Sequence, residues 1–309
     1  MKTFGKLPVV LLGAALLTSC SDFGDLNVDP NNPSVAKTEL LLTNAQRSVS
    51  SVVSSVQPIL YVQYMAETQY DDDARYQTVQ FDFNGWYTGP LADLEEIIRL
   101  NSDEATAGDV ISGGSNANQL AVARIMKAYY YHMMVERWGP IPYSEALKGS
   151  ENLRPAYDTE EAIYADLISE LKAAVGQMDG GVGVNGDIFF GGDMGEWAKF
   201  ANALRAKIAL RLADANASVA KSEFESAITN VISSDVSYPY LAEAANQNPW
   251  YGRFLTRTDY AVSDVFVDYL KSLNDPRLLM YAEPAPNYDD GDGVRSFGSN
   301  HRPNRSMPP

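Results

Sequence analysis

Two short stretches set flat aromatic rings beside amides, carboxylates and guanidinium groups. The first is Tyr70-Asp71-Asp72-Asp73-Ala74-Arg75-Tyr76, followed by Asn84-Gly85-Trp86-Tyr87; the second is Asn246-Gln247-Asn248-Pro249-Trp250-Tyr251-Gly252-Arg253. A sugar ring offers an apolar face that packs on an aromatic ring, and a rim of hydroxyls that bonds to Asp, Asn, Gln or Arg. Trp86, Tyr87, Trp250 and Tyr251 are therefore candidate stacking faces, with Tyr70 beside them. Asp71, Asp73, Arg75, Asn84 and Arg253 are the candidate polar partners. The competing reading is that each tryptophan closes over a helix end as satellite core.

Other chemistry has little material. The two histidines, His132 and His301, have no metal-ligand spacing, and His132 sits in an apolar helical stripe that makes it a core residue. No Gly-x-Ser-x-Gly elbow is present, and two histidines leave little for a Ser-His-Asp triad. Gly181-Val182-Gly183-Val184-Asn185-Gly186 matches a dinucleotide fingerprint, but it follows a helix and leads into a predicted strand, the reverse of the order that sets a pyrophosphate on a helix N-terminus. It reads as a flexible connection. Asp289-Asp290-Gly291-Asp292-Gly293 lacks the spacing and the Glu of a calcium loop and reads as a solvated acidic turn. Neither a cofactor nor a metal is expected. Carboxylates are numerous enough that a glycosidase pair could arise by chance, so a surface glycoside hydrolase stays open as an alternative. So does a helical-repeat scaffold that binds protein, which would show an apolar groove in place of exposed aromatics.

Cys20 is the single cysteine, so there is no disulfide framework, no Cys-based zinc site and no catalytic thiol in the sequence. It closes a segment in which Lys2 and Lys6 precede an apolar run from Leu7 to Leu17, too short to span a bilayer. Residues 1–19 are therefore expected to be a lipoprotein signal and Cys20 the acceptor of a diacylglycerol, whose two chains hold a protein firmly to a membrane. The formal net charge is −16, and loss of the two leader lysines makes the chain more acidic still. Such a balance repels phosphate backbones and excludes nucleic acid as the expected partner.

The elements that must position these residues are helical. Residues 20–33 are polar and turn-rich and read as a tether. Ser34 is placed to cap a first helix carrying Leu41, Ala45, Val49, Val52 and Val56, a pattern that Pro58 interrupts. From Asn118 to Trp138 two apolar stripes predict a helix buried on two sides, stopped by Gly139-Pro140. Asp158-Thr159-Glu160-Glu161, Asp193-Met194-Gly195-Glu196 and Ser222-Glu223-Phe224-Glu225 read as three capping patterns that open helices. A further helix is predicted near Asp259 to Leu273, and short strands at Thr78–Phe83 and Asp187–Phe190. The class is all-α, with helices some 35–40 residues apart in the manner of tetratricopeptide-like hairpins. The domain runs over 34–283. Residues 284–309 are Pro- and Gly-rich and read as a loop of a longer domain.

Three stretches carry a resemblance: Glu136-Arg137-Trp138-Gly139-Pro140-Ile141-Pro142-Tyr143-Ser144-Glu145-Ala146-Leu147 with Tyr157-Asp158; Gly192-Asp193-Met194-Gly195-Glu196-Trp197-Ala198-Lys199-Phe200-Ala201-Asn202-Ala203-Leu204-Arg205; and Asn274-Asp275-Pro276-Arg277-Leu278. With the lipoprotein start and Asn31-Asn32-Pro33, their order and spacing resemble the SusD/RagB family of outer-membrane nutrient-binding lipoproteins, in its SusD-like branch. The resemblance implies a helical fold with tetratricopeptide-like hairpins and long loops, lipid-anchored on the outer membrane and facing outward. It also implies a SusC-type TonB-dependent transporter as partner and an oligosaccharide or other oligomeric nutrient as cargo, without catalysis. Ser21-Asp22 and Asp25 resemble acidic signals for the outer face. Family members are longer, so the chain looks like a truncated member. In the better-studied branch, ligand-contacting aromatics come from loops comparable to those around Trp86 and Trp250, a correspondence of region and not of individual roles. The matching stretches themselves read as scaffold.

Overall fold

The structure, a computed structural model, describes residues 36–77 and 82–282. Cys20, the 20–33 tether, most of the strand predicted at Thr78–Phe83, the Asp289–Gly293 turn, His301 and the 284–309 tail fall outside them, as does Ser34.

Helix α1 (Thr38–Val53) buries Leu42, Ala45, Val49 and Val52, spaced three and four apart, so one face is apolar and the other is left outside. Ser54 and Ser55 end it, and α2 (Val56–Tyr61) holds Pro58 in its first turn, where a missing amide costs nothing. A three-residue strand β1 (Met65–Glu67) follows. After the undescribed residues a single turn α3 (Asn84–Trp86) runs through a wide turn, Tyr87–Leu91, broken at Gly89, into α4 (Ala92–Ser102). Helix α5 (Asn116–Trp138) is capped by Ser115, whose Oγ accepts from the Asn118 amide at 3.3 Å. It is buried nearly all round, as its double stripe predicts, and Gly139 ends it in the left-handed region at φ +70°.

Beyond Gly139, strand β2 (Ile141–Pro142) pairs antiparallel with β3 (Tyr157–Asp158). Thr159 then caps α6 (Glu160–Gln177), and Asp193 caps α7 (Met194–Arg211) by accepting from the Gly195 and Glu196 amides. Helices α4, α5, α6 and α7 pack each on the next in chain order, followed by α8 (Ala217–Ala227), which gives the expected all-α architecture of successive helical hairpins. The remaining elements are α9 (Pro249–Phe254), β4 (Tyr260–Val262), α10 (Asp264–Ser272) and α11 (Leu278–Tyr281). Strand β4 pairs antiparallel with β1, Glu67 opposite Tyr260.

Three expectations are corrected. The Ser222 pattern does not start a helix: Asn216 caps α8, accepting from the Val219 amide, and Ser222 lies inside it. The helix expected from Asp259 begins at Asp264 under a Ser263 cap, because Tyr260–Val262 is taken by the pairing with β1. Asp187–Phe190 is not a strand. Its backbone bends around the Asp187 carboxylate, which accepts from the amides of Phe189 (3.0 Å) and Gly192 (2.9 Å), from Gln46 Nε2 (2.8 Å) and from Trp197 Nε1 (2.8 Å). Gln46 is itself fully buried in α1 and takes the Ile188 amide at 2.8 Å.

The glycine run is likewise no flexible connection. A Cβ on Gly183 would lie 2.0 Å from the Gly192 carbonyl oxygen, and one on Gly186 (φ +75°) 2.2 Å from that of Glu39. The run is packed backbone to backbone, and the Val182 carbonyl accepts the Ser115 amide at 3.0 Å. In the core, Trp197 is wholly buried and meets Phe190 edge-on at 5.0 Å. Asp187→Ala therefore removes the acceptor that joins α1, the 187–192 bend and α7. A stability loss of about 3 kcal/mol is expected in urea unfolding, since hydrogen bonds to a charged group are worth about 1.5–3 kcal/mol and are not additive.

His132 is fully buried in α5 with neither ring nitrogen hydrogen-bonded; its nearest ionic neighbour is Glu136, 3.3 Å from Nε2. Burial pushes its pKa from 6.5 down to about 4, against the pull of Glu136 and with Lys207 and Arg211 adding to the depression. The unfolded chain thus takes up this proton first, and stability falls as pH drops through 6.5 toward about 4. His132→Leu is expected to lose about 2 kcal/mol less than the parent between pH 7 and pH 5, read from urea midpoints at the two values.

Candidate functional site

Strand pairing brings one of the two aromatic stretches to the other. After β1 the chain turns sharply, with Tyr70 and Tyr76 in the left-handed region at φ 55° and 56°. The Thr68 amide donates to the Asp259 carbonyl at 2.8 Å, and the Arg257 guanidinium lies 5.2 Å from the centre of the Tyr70 ring while pairing with Asp259 at 2.9 Å. Tyr70 is otherwise open, 76% exposed. Asp71 and Arg75 pair with each other at 2.5 Å, so each cancels the other's charge. Asp73 accepts from Gln57 Nε2 at 3.4 Å. Beneath them Glu67 is buried and takes the Ala74 amide at 3.1 Å. Burial pushes its carboxyl above the usual range; the Ala74 bond opposes this, and Asp73, Asp71 and Asp72 add to the rise. The cleft lined by Glu67, Asp71, Arg75 and Asp264 holds only about 30 Å³, room for water but not for a sugar.

On the other side of the β1–β4 pair, Asn248 caps α9 by accepting from the Trp250 amide at 2.8 Å. This fixes three rings and a cation. The Trp250 ring meets Tyr260 edge-on at 5.5 Å and Phe254 at 6.5 Å, and the Arg253 guanidinium carbon lies 4.8 Å from its centre. Trp250 is consequently half-buried, with Arg253 over one face, whereas Tyr251 is 62% exposed. Tyr260 joins the two stretches: burial raises its hydroxyl pKa, with Glu67, Asp259 and Asp73 adding to it and Arg253 opposing.

Asn84, Trp86 and Tyr87 do not join this group. Trp86 is wedged edge-on between Tyr130 (5.7 Å) and Trp138 (5.6 Å), and the Arg137 guanidinium lies 5.2 Å from its centre. Its role here is packing against α5, the satellite-core alternative, and an open stacking face is not what the structure gives it. Tyr87 donates its hydroxyl to the Pro142 carbonyl, and burial raises its pKa. Asn84 and Tyr87 line a separate groove of about 940 Å³ with Phe83, Leu147, Leu153 and Pro155.

The groove that lies against Arg253 runs along the outer face of α1 and measures about 820 Å³. One wall is Asn44, Arg47, Ser48 and Ser51, spaced three and four apart on α1 opposite its buried stripe. The other is Tyr238, Asn246, Gln247, Gly252 and Arg253. Two bonds hold the walls together: Arg47 donates to Asn246 Oδ1 at 2.9 Å, and Ser50 to the Tyr240 hydroxyl at 3.3 Å. Asn44 donates to Asp93 on α4 at 2.7 Å. Of the candidate residues read from the sequence, Arg253 lines this groove and Trp250 and Tyr251 do not; the α1 wall was missed, its signal a run of serines and amides at helical spacing. Among the described residues no group of three or more His, Cys, Asp or Glu is arranged to hold a metal ion. No helix there is long and apolar enough to cross a membrane.

Comparison with known proteins agrees with the geometry. A sequence profile for SusD-like proteins, described as starch-binding and associating with the outer membrane, matches residues 30–299. Curated proteins gave no match. Among solved structures, a chitin-binding protein is 24% identical with a TM-score of 0.67, over 84% of this chain and 60% of its own. A chitin-binding SusD homologue from Flavobacterium johnsoniae is 21% identical, TM-score 0.65, over 84% of this chain and 57% of its own. A SusD homologue from Bacteroides fragilis NCTC 9343 is 24% identical, TM-score 0.62, over 79% and 52%. The chain thus spans between half and two thirds of the length of these neighbours. By the profile match over most of its length and by its fold, the chain belongs to the SusD/RagB family, among the SusD-like proteins described as associating with the outer membrane.

Proposed function

We propose that the protein is a non-catalytic, surface-displayed glycan-binding lipoprotein. It holds an oligosaccharide in the groove along α1, is anchored through a lipid on Cys20, and passes its cargo to a TonB-dependent transporter of the SusC type. The observation that supports this is the composition of the groove. Its walls supply hydroxyls from Ser48, Ser51 and Tyr238, amides from Asn44, Asn246 and Gln247, and the guanidinium groups of Arg47 and Arg253. These groups complement the hydroxyl rim of a sugar, while Tyr251 and Tyr70, close by in the chain and at the joined β1–β4 end, offer open rings. A volume of about 820 Å³ accommodates several sugar units. Two of the structural neighbours are named as chitin binders, which makes chitin oligosaccharides the first neutral probe.

A glycoside hydrolase needs two carboxylates flanking the scissile bond. The lining of this groove supplies hydroxyls, amides and guanidinium groups, the chemistry of sugar binding.

Calorimetry on residues 21–309 is expected to show saturable binding of at least one class of soluble oligosaccharide. Tyr251→Ala combined with Asn246→Ala should weaken it tenfold or more, about 1.4 kcal/mol, with an unchanged helical spectrum. Unaltered affinity in the folded double variant would place the ligand elsewhere. Release of reducing ends from a polysaccharide would instead favour the hydrolase. For the anchor, Cys20→Ala in the full chain is expected to shift the protein from the detergent phase to the aqueous phase on Triton X-114 partition. Retention in the detergent phase would exclude the lipid on Cys20.

A further inference from the structure

The groove along α1 has a charge opposite to that of the chain around it. The sequence has 40 acidic residues against 24 basic, yet the groove is lined by two arginines and no carboxylate. The nearest carboxylates in the chain and in its contacts are Glu243, beside the lining Ala244, and Asp93. Asp93 is occupied by the Asn44 amide at 2.7 Å, and its burial pushes its pKa up against that bond.

Neither arginine of the groove lining is paired with a carboxylate. Arg75, Arg124, Arg205, Arg211, Arg257 and Arg277 each have a carboxylate oxygen within 3.4 Å. Among the described residues Arg47 and Arg253 have none; Arg137 also lacks one, but donates to the Val52 carbonyl and lies over the Trp86 ring away from this groove. Arg47 donates one N–H to the neutral Asn246 amide. Arg253 rests against the Trp250 ring at 4.8 Å, and its Nη1 is buried without a hydrogen-bond partner. That Nη1 is closed to solvent, so an oxygen of an occupant would meet Arg253 through the part of the side chain that lines the groove. The planar fork of a guanidinium matches two oxygens of a carboxylate or a sulfate, and stacking on Trp250 holds that of Arg253 in one orientation.

We propose that the cargo is an anionic oligosaccharide, one whose sugar units bear carboxylate or sulfate groups, with Arg47 and Arg253 as the contacts to those groups. This rests on the oligosaccharide reading above and narrows it to a substrate class. The net acidity of the chain then disfavours general adsorption of an anionic chain and favours docking where the two guanidinium groups lie.

The test is calorimetry on residues 21–309 with pairs that differ only in charge. The probes are oligogalacturonate against its fully methyl-esterified form, heparin-derived oligosaccharides against their desulfated forms, and chitin oligosaccharides as the neutral reference. At least one charged member is expected to bind tenfold or more tighter than its neutral counterpart, and which pair shows it separates carboxylate from sulfate. Arg253→Gln and Arg47→Gln should each reduce that preference at least threefold and flatten its dependence on salt. Arg47 lies on an exposed helix face, so Arg47→Gln serves as the control if Arg253→Gln disturbs the packing of Trp250. Equal affinity within both pairs, or tight binding of chitin oligosaccharides alone, would overturn the anionic assignment and leave the oligosaccharide reading standing. No binding by any glycan would overturn both.

Discussion

One carboxylate sets the frame on which the rest of the molecule depends. Asp187 draws in three backbone amides, the Gln46 side chain and the Trp197 indole, so a loop, the first helix and the largest core side chain are fixed by a single charged acceptor. A charge accepting several well-aligned N–H groups is satisfied without a counter-ion, which lets it sit inside a helical fold without the penalty of an unpaired buried ion. The surrounding glycines are a consequence: only residues without a Cβ let the 183–192 backbone close in this tightly. What that clamp achieves is the orientation of α1. With Gln46 and the Leu42/Ala45/Val49/Val52 stripe held inward, the polar stripe of Asn44, Arg47, Ser48 and Ser51 is presented outward. The binding face is in this sense the reverse side of a core contact.

The second determinant is electrostatic spacing. Most charged side chains of the described helices are paired locally, as in Arg124 with Glu170 and Arg211 with Glu136. The groove stands apart because its cations meet amides and an aromatic ring in place of acids. A strongly acidic chain that keeps two guanidinium groups unneutralised in one concavity offers a local attraction for anions there.

Helices were legible in the sequence wherever a capping residue met an apolar period. Thr159, Asp193 and the 118–138 double stripe all stand where their chemistry placed them. Ser222 misled because Ser followed by Glu occurs inside helices as well as before them, whereas the true cap, Asn216, lacked a following Glu. The Asp187–Phe190 alternation imitated a strand because a loop wrapped around a carboxylate also alternates what it buries. The family stretches proved to be scaffold: Trp197 is core, and Gly139 a helix stop. Of the loop residues singled out in the sequence, Arg253 lines the groove, and Trp250 and Tyr251 stand outside its lining. The packing of Trp86 was not legible, since whether a ring packs or stands open depends on Tyr130 and Trp138, more than forty positions away. The α1 wall escaped for the complementary reason: polar residues on the outer face of a helix read as ordinary solvated surface until another segment is laid across them.

The pairing of β1 with β4 has a consequence for how the protein comes into being. Three residue pairs join segments about 190 to 200 positions apart, and the Thr68 and Ser263 side chains fasten the same junction. Closing so long a loop costs entropy that three ladder pairs repay only modestly. The helices between form from near neighbours and do not wait for it. The β1–β4 junction is therefore the last part to assemble and the first to come apart, its amides exchanging with solvent while the helical hairpins stay protected. A protein built this way completes this long-range junction late and can loosen it without losing its helical fold.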